Sequence, residues 1–128
     1  LEEDYYLLVR LKVSSELIIK KLVKNFGHSK LAQEYLPEGQ SGVLTFGVKG
    51  GYDSAKIIAN ETKLFSLLAN IGDTKSLIIH PASTTHQQLD DKAQQATAVS
   101  KDLIRLSVGL EDIEDLKEDL KLVFSKIK

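Results

Sequence analysis

The chain has 128 residues, 42% of them hydrophobic and 27% charged, which suits one domain with one sizeable core. A net charge of −1 supplies no long-range field to attract nucleic acid or an anionic membrane, and no apolar run approaches the roughly 18 residues of a membrane span. Without cysteine there are no disulfides and no thiolate metal sites, and an aromatic content of 6% leaves few platforms on which bases could stack.

In chain order, residues 1–13 read as an arm or lead-in. SSELIIKKLVKNF (14–26) predicts a helix, with Ser14 or Ser15 as cap, Leu17, Ile18, Leu22 and Phe26 recurring near helical spacing, and Gly27 as the stop. A second short helix is expected over 29–36, ending before Pro37, and PEGQSG (37–42) is turn chemistry. VLTFGV (43–48) alternates and predicts a strand broken by Gly50-Gly51, a turn that calls for positive φ. Asp53 is the expected cap of a helix through SAKIIANE, with Ile57 and Ile58 facing inward. KLFSLLA (63–69) is apolar, and its periodicity fits helix and strand alike. IGDTK (71–75) predicts a loop, and SLIIH (76–80) a strand that Pro81 ends. Residues 87–98 are expected to be helical and exposed. LIRLSV (103–108) predicts a strand with Leu103, Arg105 and Ser107 on one face and Ile104, Leu106 and Val108 on the other. Ile113, Leu116, Leu120, Val123, Phe124 and Ile127 form the stripe of a last helix, with acidic residues from Glu111 to Asp115 at its start and Lys121, Lys126 and Lys128 at its end. The pattern predicts an α+β domain, a small sheet covered by helices.

The chemistry-bearing residues divide as follows. His80 and His86 lie six residues apart with Pro81 between them. They miss the i, i+4 spacing that puts two imidazoles on one helix face, so no metal site is expected, and both histidines are assigned structural roles. Ser83, Thr84 and Thr85 precede His86, but a nucleophile needs a base oriented by a third group. A turn whose hydroxyls bond backbone groups is the plainer reading. FGVKGGYDS has glycines and a lysine after a strand, without the order of a phosphate-binding loop. Arg105, one of two arginines, stands mid-strand. It fits either a fork for a bound carboxylate or the solvated face of an edge strand.

SLIIHPASTTHQQL (76–89) followed by DLIRLSVGLEDIEDL (102–116) resembles the C-terminal domain of the Cys/Met-metabolism enzymes that use pyridoxal phosphate. LPEGQSGVLTFGVKGG (36–51) and KLFSLLANIGDTKSLIIHPASTTH (63–86) look most like the O-acetylhomoserine sulfhydrylase branch; lyase members tend to carry Ser-Leu-Gly where this chain has Asn70-Ile71-Gly72-Asp73. The resemblance covers about residues 30–123, so the chain divides into an atypical helical lead-in, 1–28, and a small domain, 29–128. It implies the small C-terminal domain of a fold-type I transferase, with a mostly antiparallel sheet. It implies an enzyme in which sulfide replaces acetate to give homocysteine, with an amino-acid substrate and pyridoxal phosphate as cofactor.

Three residues match the family's substrate side: Arg105 for the substrate α-carboxylate, Asn70 at the start of the glycine-aspartate loop, and Thr85 in the wall of the site. The cofactor lysine and the aspartate of the pyridinium nitrogen belong to the large domain, which nothing here matches. The only lysine three residues after a serine is Lys128, at the extreme C-terminus. The expectation is therefore a fragment, truncated gene product or split subunit, inactive alone and binding no cofactor alone, cytoplasmic, partnered by the missing large domain and open to homo-oligomer formation. The alternatives are a stand-alone interaction or regulatory domain, and the small domain of a cystathionine synthase or γ-lyase.

Overall fold

The structure, a computed structural model, describes residues 5–8, 34 and 42–127. The helices expected over 14–26 and 29–36 and the turn at 37–42 lie outside the described residues, apart from Glu34 and Gly42. Five strands form one sheet: β1 (Tyr5–Leu8), β2 (Val43–Val48), β3 (Ser66–Leu67), β4 (Leu77–Ile79) and β5 (Leu103–Ser107), in the order β1-β2-β5-β4-β3. Only β3 and β4 run parallel; the other three pairings are antiparallel. Within the expected helical lead-in, Tyr5–Leu8 is extended and pairs with β2, Tyr5 opposite Val48 and Leu8 opposite Thr45.

Within residues 42–127 the α-helices are α1 (Gly51–Glu61), α2 (Asp91–Ala96) and α3 (Ile113–Phe124). Alternation along β2 and β5 sends Leu44, Phe46, Val48, Ile104 and Leu106 to one face, where with Ile78 they meet Ala55, Ile58 and Ala59 of α1 and Leu116 and Val123 of α3. Phe46 and Phe124 close this core edge to face, with ring centroids 6.2 Å apart. The α3 stripe follows the sequence reading: Leu120, Phe124 and Ile127 are partly buried against the same cluster. Asp112 starts α3, its Oδ1 accepting from Glu114 N at 2.8 Å.

Three local expectations change. The cap of α1 is Gly50, with φ of 88°, while Asp53 lies inside the first turn, where the helix dipole favours a carboxylate. Ile58 is fully buried but Ile57 is 40% exposed, because the buried stripe of α1 runs through Ala55, Ile58 and Ala59 and Ile57 is rotated about 100° off Ile58, away from that stripe. The 87–98 stretch is helical only over Asp91–Ala96, and Gln94 within it is buried. Its Nε2 donates to the carbonyls of Ala82 at 3.2 Å and His86 at 2.8 Å, which tethers the turn after β4.

Candidate functional site

Because α1 and α3 pack on one face of the sheet, the other face carries the remaining positions of β5. Arg105 stands there, opposite Thr45 of β2 on one side and Ile79 of β4 on the other. β5 is the central strand, so the edge-strand reading of this arginine does not hold. The side chain is half-buried, and its Nη2 donates to the backbone carbonyl of Asn70 at 3.3 Å. No carboxylate among the described residues pairs with it. A guanidinium has five N–H donors in a planar fork, and one described bond leaves donors available for a planar anion.

The fold thus brings together Arg105 and Asn70, 35 residues apart in sequence. Asn70 contributes its main-chain oxygen to this contact; its side chain is exposed. Thr85 is exposed on the loop that follows the Pro81–Ser83 turn, with its hydroxyl 2.8 Å from His86 Nδ1. No hydrogen bond among the described residues joins Thr85 to Arg105 or Asn70.

The loop that carries Asn70 is fastened to the end of β5. Ser107 Oγ accepts from Gly72 N at 3.2 Å, and Thr74 O accepts from Leu110 N at 2.8 Å. Ser76 donates twice to Glu111, from its amide to Oε1 at 2.8 Å and from its hydroxyl to Oε2 at 2.7 Å, while the same hydroxyl accepts from Gly109 N at 2.8 Å. Gly109 has no room for a side chain: a Cβ there would stand 2.2 Å from Thr74 O and 2.7 Å from Ser76 N. Burial pushes the Glu111 carboxyl up, but the backbone and hydroxyl hydrogen bonds from Ser76 outweigh it and hold the group below its ordinary value. Sequence reasoning missed Ser76 and Glu111, since no local spacing marks a contact across 35 residues.

The histidines have structural surroundings. His80 is fully buried, with Nε2 2.8 Å from Lys101 O and Nδ1 2.8 Å from Ser83 Oγ. A carbonyl only accepts, so Nε2 carries the proton and Nδ1 accepts from the Ser83 hydroxyl. Burial dominates its titration and lowers its pKa, so the ring is neutral. An imidazole sealed in this way offers no proton path to a substrate. Of the three hydroxyls after it, Thr84 Oγ1 bonds backbone as expected, donating to His80 O at 2.9 Å, while those of Ser83 and Thr85 lie 2.8 Å from the rings of His80 and His86. Among the described residues no three His, Cys, Asp or Glu side chains gather as a metal site, and no helix is long and apolar enough to cross a membrane.

A family model described as Cys/Met metabolism PLP-dependent enzyme matches residues 18–125. The chain belongs to this family. The match begins inside the stretch read as an atypical lead-in. Within the Cys/Met-metabolism family, the chain is 54% identical over 94 residues to O-acetyl-L-homoserine sulfhydrylase 1 of Thermus thermophilus, covering 73% of this chain and 22% of that protein. It is 52% identical over 90 residues to homocysteine synthase of Schizosaccharomyces pombe, covering 70% of this chain and 21% of that one. Among solved structures it superposes on a chain from Campylobacter jejuni described as an O-acetylhomoserine (thiol)-lyase, with a TM-score of 0.68 and 45% identity, over 79% of this chain and 24% of that one. That structure contains N'-pyridoxyl-lysine-5'-monophosphate.

The described residues of this family member do not fit pyridoxal phosphate as its holder. A lysine that links to the cofactor reacts as a neutral amine, which a desolvated pocket promotes. Every described lysine except Lys117 is exposed, and Lys117 is ion-paired with Glu114 at 2.7 Å. What this part of the family fold offers is the half-buried guanidinium of Arg105 on the sheet face away from α1 and α3.

Proposed function

We propose that this chain is the C-terminal, substrate-binding small domain, residues 29–128, of a fold-type I O-acetylhomoserine sulfhydrylase-like enzyme. In that enzyme sulfide displaces acetate from an O-acetylated amino acid, a C–S bond forming as the C–O bond breaks, to give homocysteine. The observation that carries the reading is Arg105: a half-buried guanidinium on the sheet face away from the helices, held by the Asn70 carbonyl, with no carboxylate partner among the described residues. The names of the relatives support the reaction class. The cofactor lysine belongs to the rest of the enzyme, and the chain alone is inactive. Asn70 and Thr85 line the substrate side. Leu67, Leu68, Ile71 and Leu110 are all exposed, and Leu110 at 83% is the most so; the remainder of the enzyme would cover them. Cytoplasmic residence belongs to the same reading.

Arg105→Ala in the complete enzyme tests it. Loss of a charged, forked contact costs about 2 kcal/mol, roughly 30-fold in kcat/KM, most of it as a raised KM for the amino-acid substrate. An unchanged KM would remove Arg105 from the binding site and the proposal with it.

A further inference from the structure

We propose that Glu111, acting through Ser76, is a positioning residue for Arg105. It fixes the 70–76 loop so that the Asn70 carbonyl holds one guanidinium nitrogen and leaves the other donors turned to a substrate carboxylate. The inference rests on the reading of Arg105 as the carboxylate-binding group.

The geometry is specific. Ser76 closes the loop just before β4, and both of its donors end on the two oxygens of one carboxylate, at 2.8 and 2.7 Å. Its carbonyl accepts from Ser66 N at 2.9 Å, so β3, which leads into Asn70, is tied to the same residue. Glu111 itself sits beyond the end of β5, the strand that carries Arg105. The fork therefore sets where the loop stands relative to that strand, and Gly109 lets the two backbones approach closely enough for it to form. At the far end of the same loop, the 3.3 Å contact from Arg105 to Asn70 O is the one whose length depends on that placement. The Ser76 hydrogen bonds hold Glu111 ionised, and an ionised carboxylate accepts at both oxygens at once.

The test is a double-mutant cycle in the complete enzyme carrying this domain, with Arg105→Ala, Glu111→Ala and the pair. The readouts are KM, kcat and the Kd of an unreactive α-amino acid measured by calorimetry. Glu111→Ala is expected to raise KM and Kd about fivefold with kcat within about twofold, and to add almost nothing once Arg105 is alanine. Ser76→Ala, which removes only the hydroxyl, should show the same pattern more weakly and serves if Glu111→Ala does not fold. An equal fold-change in both backgrounds, or a fall in kcat with KM unmoved, would mean that Glu111 serves stability alone and would overturn the inference. If Arg105→Ala itself leaves KM and Kd unmoved, the underlying reading of Arg105 fails instead.

Discussion

His80 shows how much one buried polar side chain decides locally. It meets Tyr52 edge to face at 4.9 Å, both of its nitrogens are satisfied, and it is fully buried. Burial lowers its folded pKa below the ordinary 6.5. As pH falls the unfolded chain therefore takes up the proton first. Stability is complete above 6.5 and declines as pH drops through 6.5 toward the lower folded value. Urea unfolding at about pH 7.5 and pH 5.5 should show lower stability in the acid sample, and His80→Gln should flatten the difference. A wild-type stability that does not change over that interval would mean that His80 charges freely in the fold. Glu111 acts in a separate window: its folded value is depressed, so its contribution is present above 4.5 and lost as pH falls through the folded pKa.

At the scale of elements, α3 is held by more than its apolar stripe. Asp119 lies on the same face as Leu116 and Val123 and is buried. Its carboxylate accepts from the backbone amides of Lys63, Leu64 and Phe65, at 2.9, 2.8 and 3.4 Å for the closest approach of each. These amides follow the end of α1, where the chain turns toward β3, and nothing local satisfies them. A buried donor without an acceptor costs about 1–3 kcal/mol. Asp119→Leu therefore lengthens the apolar stripe yet should destabilise the domain by about 1–3 kcal/mol in urea unfolding. If Asp119→Leu proved as stable as wild type, the carboxylate would not be the clamp described here.

At the scale of the molecule, the two faces of the sheet differ. One face is filled by α1 and α3, and the other presents the Arg105 row of β5. The chain spans about a fifth of the length of the two relatives described above, 22% and 21%. The described lysines, all exposed except Lys117, have no desolvated pocket in which to hold a cofactor. Titration of the purified chain with pyridoxal phosphate, followed by borohydride trapping and mass spectrometry, should give no stoichiometric adduct. A single lysine trapped at one-to-one stoichiometry would place a cofactor site on this chain.

The sequence by itself determined the alternating strands over Val43–Val48 and Leu103–Ser107 and the stripe of α3, because period-2 and period-3.6 patterns record which face meets the core. Long ordered motifs likewise made the family legible, and the family match agrees with that resemblance. The ambiguous apolar run at 63–69 was not legible: it became a two-residue strand beside β4, and strand pairing rather than periodicity decided it. Asp119 was visible only as a charge on an apolar stripe, a breach of pattern whose meaning lay 54 to 56 residues away. Tertiary structure alone set β5 at the centre of the sheet, brought the Asn70 carbonyl to Arg105, and joined Ser76 to Glu111. Hydrogen bonds between distant segments leave no periodic trace in a sequence, since each needs only one residue at each end and a fold to bring them together.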